Sequence, residues 1–163
     1  MIFYFYGDNS YAIAKEVEHI KQGYVKKTGA DSDMEVFEMS VRPLSDLLNS
    51  LAVVPMFVSS RLLVVHDLST HKLQKDALQK LLDCVPDSTN VIFVDSQIDK
   101  RSIYFKTFSN LEKAKQFVLL QPQQLGAWVS LQAAKHNATI DKRTINVLIE
   151  RVGNDQWLSL IHI

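Results

Sequence analysis

Five short apolar runs punctuate the first two thirds of the chain, and between them apolar residues recur at helical spacing. Residues 2–6 (Ile-Phe-Tyr-Phe-Tyr) read as a strand ended by Gly7. Asp8 or Ser10 then stands where a helix would be capped, and Ile13, Val17, Ile20 and Tyr24 form a stripe that Gly29 closes. Residues 35–39 make a second strand. Pro43 suits a first helical turn, with Leu44, Leu47, Leu48 and Leu51 as the buried face of a short helix. The third strand is residues 62–66, followed by a helix over about 70–84 that buries Leu73, Ala77, Leu78, Leu81 and Leu82. Residues 91–94 give the fourth strand, 102–111 a helix, and 116–120 the fifth strand.

Nearly continuous apolar strands alternating with helices predict an α/β fold: a five-stranded, mostly parallel sheet covered by helices on both faces. In such sheets ligands sit beyond the carboxyl ends of the strands. After Pro122 the pattern becomes helical throughout. One stretch carries Leu125, Trp128, Val129 and Ala133; another, capped by Asp141, carries Ile145, Leu148, Ile149 and Val152 before Gly153. This places a boundary near 121–123, between an α/β domain (1–121) and the start of a helical one (122–163).

Residues 50–67 interrupt this alternation in an informative way. Pro55 cannot donate to a central ladder, so the stretch ahead of the Leu62-Leu63-Val64-Val65 strand is poorly suited to lie in the sheet. It carries Met56 and Phe57. Two large apolar side chains on such a connection either stand outward as a docking plug or fold back over the core, and spacing alone leaves both readings open.

Composition narrows the classes. With 18 Lys+Arg against 18 Asp+Glu the net charge is zero, which argues against autonomous high-affinity binding to nucleic acid. Cys84 is the single cysteine; internal disulfides are excluded and a reducing cytoplasmic setting fits. Residues 1–6 reach Asp8 without a basic leader and read as a strand rather than a signal peptide, and no apolar run approaches membrane-spanning length.

The chemistry expected of nucleotide-binding α/β proteins is missing from its usual place. The turn after the first strand reads Gly7-Asp8-Asn9-Ser10-Tyr11-Ala12-Ile13-Ala14-Lys15. A P-loop needs a second glycine followed by Lys and Ser/Thr, so that backbone N–H groups wrap the phosphates and a hydroxyl reaches magnesium. Here Asp8 would add negative charge beside a phosphate. His66 and His71 lack a nearby cysteine, which makes no metal site. Lys100, Arg101, Lys106, Lys113 and Lys115 gather near the fourth helix and read as a solvated face. An alternative is a small nucleotide- or phosphoryl-handling protein of receiver type. Asp8, Asp67 and Ser96 loosely fill three of its positions, but Leu120-Gln121-Pro122 supplies no lysine to balance the phosphoryl charge. No cofactor is expected.

The order of these signals resembles the N-terminal part of the DNA polymerase III delta subunit family. The matching pieces begin with Tyr4-Phe5-Tyr6-Gly7-Asp8-Asn9-Ser10-Tyr11 and continue with the leucine helix and Pro55-Met56-Phe57-Val58-Ser59-Ser60-Arg61-Leu62-Leu63-Val64-Val65. Asn90-Val91-Ile92-Phe93-Val94, Asp99-Lys100-Arg101, Trp128-Val129 and Val152-Gly153-Asn154-Asp155 follow in order. The resemblance implies an AAA+-type domain that has lost nucleotide binding, then the beginning of a helical lid. It implies a non-catalytic clamp-loader component that binds and opens the sliding clamp within a DNA polymerase (nucleotidyltransferase) holoenzyme. Met56 and Phe57 match the family's clamp-entering pair, supported by Pro55, Val58 and Arg61. The implied partners are the beta sliding clamp, the gamma/tau motor subunits and delta-prime, with DNA reached only through the complex and no membrane. Ser59-Ser60-Arg61 is not the Ser-Arg-Cys arginine-finger motif of the motor and delta-prime subunits. The ending Ser159-Leu160-Ile161-His162-Ile163 departs from the family, which continues into a helix and a collar domain; it reads as a truncation or an assembly artefact, and pentamer assembly by this chain is expected to suffer.

Overall fold

The computed structural model describes residues 1–29, 33–53, 60–96 and 99–162. In chain order the elements are β1 (Ile2–Tyr6), α1 (Ser10–Thr28), β2 (Met34–Glu38), α2 (Leu44–Ala52), β3 (Arg61–His66), a 3-10 turn (Leu68–His71), α3 (Lys75–Asp83), β4 (Thr89–Asp95), α4 (Ile103–Phe108), β5 (Ala114–Gln116), α5 (Pro122–Lys135), α6 (Lys142–Val152) and α7 (Gln156–His162). The chain divides into two compact units, Met1–Phe117 and Val118–Ile163.

The first unit is a five-stranded sheet in the order β2-β3-β4-β1-β5, with every pair parallel. Side chains alternate across a strand, so the apolar runs of β3 and β4 feed two cores at once. Leu62, Val64, Ile92 and Val94 face α1, meeting Ile13, Val17 and Tyr24. Leu63, Val65, Val91 and Phe93 face α2, α3 and α4, meeting Leu47, Leu78, Tyr104 and Phe108. This is the two-faced α/β arrangement that the alternating pattern predicts.

Several local details differ from the sequence reading, each for a visible reason. The cap of α1 is Asn9, not Asp8 or Ser10: its Oδ1 accepts the Ala12 N–H at 3.0 Å. Gly29 closes the helix in the left-handed conformation. Strand β2 starts one residue earlier than expected. In α2, Leu47 and Leu51 are buried, whereas Leu48 is 43% exposed because a helix this short presents only one narrow stripe to the sheet. The helix expected over 70–84 is split. Lys72 takes a left-handed conformation after the 3-10 turn, α3 starts only at Lys75, and Ala77 lies on its exposed face. The Leu73 N–H, freed by the break, donates to the Tyr104 hydroxyl at 2.6 Å. Strand β5 is displaced toward the N-terminus, because the ladder ends where β1 ends, at Tyr6 opposite Gln116. The second unit has its own core of Val129, Ile145 and Leu148. Its α7 was not foreseen; Asp155 Oδ1 accepts the N–H groups of Trp157 (2.9 Å) and Leu158 (3.0 Å) and so starts that helix.

Candidate functional site

The turn between β1 and α1 is closed rather than cradle-shaped. Gly7 has φ +135°, a region L residues avoid, and a Cβ there would lie 1.9 Å from the Phe117 carbonyl oxygen. That carbonyl accepts the Asn9 N–H at 3.3 Å, while the Phe117 N–H donates to the Tyr6 carbonyl at 2.7 Å. The segment leaving β5 therefore lies directly against the turn, and the Asn9 side chain takes a first-turn N–H of α1. These are the groups a phosphate would need.

Beyond the ends of β3 and β4 lies a cleft of about 340 Å3 bordered by α1, with His66, Asp67 and Ser96 on one side and Ser10 and Lys21 on the other. Asp67 and Ser96 thus share a cleft, but Asp8 is not among its walls. Asp67 is a turn residue. It has φ 54°, its N–H donates to the Val94 carbonyl at 3.0 Å, and its carbonyl accepts from Thr70. The adjacent Asp95 is 6% exposed and takes a hydrogen bond from the Tyr4 hydroxyl at 3.1 Å. Burial, with a smaller contribution from the Asp67 charge, pushes its carboxyl up to about 6 against the opposing pull of Tyr4. Among the described residues no group of three or more His, Cys, Asp or Glu could hold a metal ion. His71 serves as a brace: its Nε2 donates to the carbonyls of Met39 (2.9 Å) and Arg42 (3.1 Å). The basic residues do not converge. Lys115 pairs with Glu16 at 2.9 Å, Arg101 lies 3.8 Å from Asp99, and Lys113 sits over the Phe3 ring.

Pro55, Met56, Phe57 and Val58 lie outside the described residues. The two ends of their segment do not. Ser50, in the last turn of α2, is buried; its hydroxyl donates to Glu35 Oε2 at 2.7 Å and its carbonyl accepts from Arg61 Nη1. Arg61, the first residue of β3, also places Nη2 3.1 Å from Glu35 Oε2, and its side chain is only 13% exposed. The Tyr24 hydroxyl donates to the Ser60 carbonyl at 2.6 Å. Arg61 was expected to support the docking element; it is turned into the protein, at the base of the segment. Sequence reasoning missed Glu35, Ser50 and Tyr24. Glu35 and Arg61 are 26 positions apart, and no local pattern signals such a contact.

The family described as "DNA polymerase III, delta subunit" matches residues 3–119. The chain belongs to the DNA polymerase III delta subunit family. The match spans the whole sheet, the closed turn and the segment between α2 and β3. Among solved structures, this delta-family chain is similar to the Bacillus subtilis DNA clamp loader delta protein. The TM-score is 0.65 at 16% identity, over 99% of this chain and 51% of that one. It is also similar to domain III of the Thermotoga maritima replication initiation protein DnaA, with TM-score 0.61 and 12% identity over 97% of this chain and 72% of that one. The chain thus spans about half the length of the Bacillus protein. No curated protein sequence matches it. The two structural likenesses fix the fold as AAA+-like. No helix among the described residues is long and apolar enough to cross a membrane.

Proposed function

We propose that this chain is the clamp-contacting part of a clamp-loader delta subunit, and that Met56 and Phe57 enter an apolar pocket on a beta-type sliding clamp. The observation that carries the reading is the delta-family match, which covers residues 3–119 and so includes the Pro55–Arg61 block that bears the two side chains. The closed turn at Gly7 supports a role without nucleotide chemistry: the Asn9 N–H is taken by the Phe117 carbonyl and the Ala12 N–H of α1 by the Asn9 side chain. Ring opening then follows from binding alone. A ligand shifts a two-state equilibrium only by its differential affinity, so the plug must favour the clamp whose interface is strained open. In this reading the gamma/tau motor subunits hydrolyse ATP, delta-prime completes the assembly, DNA is reached through the complex, and the protein works in the cytoplasm. Arg61 and Pro55 support the plug from its base, and Val58 flanks it.

The test is a calorimetric titration of the chain against the cognate beta-type clamp, beside the Met56→Ala/Phe57→Ala double variant. Burying each side chain contributes about 1.5–3 kcal/mol before ordering costs. The double variant should therefore bind at least about a hundredfold more weakly, at roughly 1.4 kcal/mol per tenfold, while keeping the same circular dichroism. Equal binding by both chains would remove the plug from the mechanism.

A further inference from the structure

The cleft beyond β3 and β4 is built from residues that the proposed clamp contact does not use. Helix α1 contributes Ser10, Ile13, Val17 and Lys21, which recur at helical spacing and so form one stripe along the cleft. Ile13, Val17 and Val94 are buried and give it an apolar floor. Its polar groups are of both signs. Asp67 stands where β3 has ended, and its side chain makes no capping hydrogen bond to the 3-10 turn that follows. It feels the like charge of Asp95. Lys21 has no ion-pair or hydrogen-bond partner among the described residues. Glu18, the other acid of the wall, is engaged along the helix, its Oε1 accepting from Gln22 Nε2 at 3.1 Å. His66 Nε2 lies 3.9 Å from Glu38 Oε1, and Ser10 and Ser96 complete the rim.

The two charges stand at different heights. Helix α1 joins two parallel strands of one sheet and runs back against them. Ser10 is therefore level with the carboxyl ends of the strands, beside Asp67, and Lys21 lies further toward their amino ends. The eleven positions from Ser10 to Lys21 span about 16 Å of helix. A helical side chain leans toward its own N-terminus, which brings the ammonium back by about 6 Å and leaves about 10 Å between the two charges. Asp67 and Asp95 together disfavour a phosphate at the upper end and favour a cation. Lys21 favours an anion at the lower end. A volume of about 340 Å3 suits a small ligand.

We propose that this cleft binds a short linear zwitterion with an apolar middle, the chemistry of a free tripeptide with small apolar side chains. Its ammonium sits on Asp67, its carboxylate on Lys21, and its side chains on Ile13, Val17 and Val94. Three extended residues cover about 10 Å, the separation of the two charges. Ser10, Ser96 and His66 supply hydrogen-bond partners for the peptide groups between. The site lies wholly within the first unit and stands apart from the clamp reading.

The experiment is an amide NMR titration of the isotope-labelled chain with the tripeptide Ala-Val-Ala, in free, N-acetylated and C-amidated forms. The chains are wild type, Asp67→Asn and Lys21→Gln. Asparagine tolerates the left-handed conformation that Asp67 adopts at φ 54°, and glutamine is a good helix former, so both variants keep the local backbone. The expected result with the free peptide is saturable shifts centred on Ile13, Val17 and Val94. Acetylation should weaken binding to the wild type about three- to fivefold and leave Asp67→Asn indifferent. Amidation should do the same to the wild type and leave Lys21→Gln indifferent. The blocked peptides test the assignment on the unaltered chain, so it does not depend on either variant folding. No saturable shift at about 10 mM peptide would overturn the site. Shifts centred elsewhere, or end-blocking that weakens the variants as much as the wild type, would overturn it too. A loss on amidation alone would leave a carboxylate site at Lys21 and overturn the zwitterion.

Discussion

At the scale of single residues, the carboxyl ends of the strands hold two groups in costly situations, and each has a physical consequence. Gly7 is where the chain can tolerate φ +135° with the Phe117 carbonyl against its Cα; its sequence signal, a lone glycine after an apolar strand, predicted the turn but not the crossing segment. Asp95 is buried beside Tyr4, with its carboxyl raised from 3.8 to about 6. A raised acid binds its proton more tightly in the folded chain than in the unfolded one. Between those two values the folded chain therefore holds a proton the unfolded chain has released, and stability falls as pH rises through that window. Above it the cost is fully present. Asp95→Asn keeps an oxygen for the Tyr4 hydroxyl and removes the charge, so it should stabilise the first unit by about 1–3 kcal/mol at pH 7. Near pH 4 the gain should have largely vanished. Urea unfolding of both chains at the two pH values checks it, and a gain of equal size at both would show that charge burial is not its source.

At the scale of elements, the apolar strands were the most legible part of the sequence. Leu62-Leu63-Val64-Val65 and Val91-Ile92-Phe93-Val94 are buried on both faces, and only a central parallel strand calls for such a run. Helices covered on one side were harder to delimit. The stripe of α2 was drawn one residue too wide, because four leucines in eight positions fit a broad face as well as a narrow one. The structure separates neighbours sharply: Leu47 is fully buried and Leu48 is exposed. Leu47→Ala should accordingly cost about 2–5 kcal/mol, whereas Leu48→Lys should stay within about 0.5 kcal/mol; chemical denaturation of the two variants decides, and similar losses would contradict the placement of α2. Of the candidate site, the sequence offered the Met56-Phe57 plug and its proline. The contacts joining Glu35, Ser50 and Arg61 were illegible, since the three belong to different elements and meet only through the fold. A glutamate at the second position of a strand looks like an ordinary edge residue until its partners are seen.

For the molecule as a whole, the division at Phe117 separates two kinds of stability. The first unit contains the entire sheet and both of its large cores, while the second rests on the cluster of Val129, Ile145 and Leu148 with Trp128, Ile140, Ile149 and Val152 around it. Burial fraction falls steeply with size, and a unit below roughly 60 residues is marginal. The helical unit should therefore melt first. The chain has two tryptophans, Trp128 and Trp157, and both lie in that unit, so tryptophan fluorescence reports on it alone. In urea, fluorescence should change in one step at low denaturant. Ellipticity should fall in two, the first coincident with the fluorescence and the second marking loss of the sheet. Between the steps the sheet that carries residues 54–59 remains folded, so under the proposed function clamp binding in that window should stay within a few-fold of its value without urea. A single transition shared by both probes would mean that the units stabilise one another. Two transitions with clamp binding lost at the first would place a clamp determinant in residues 118–163, and the plug could then no longer account for the interaction alone.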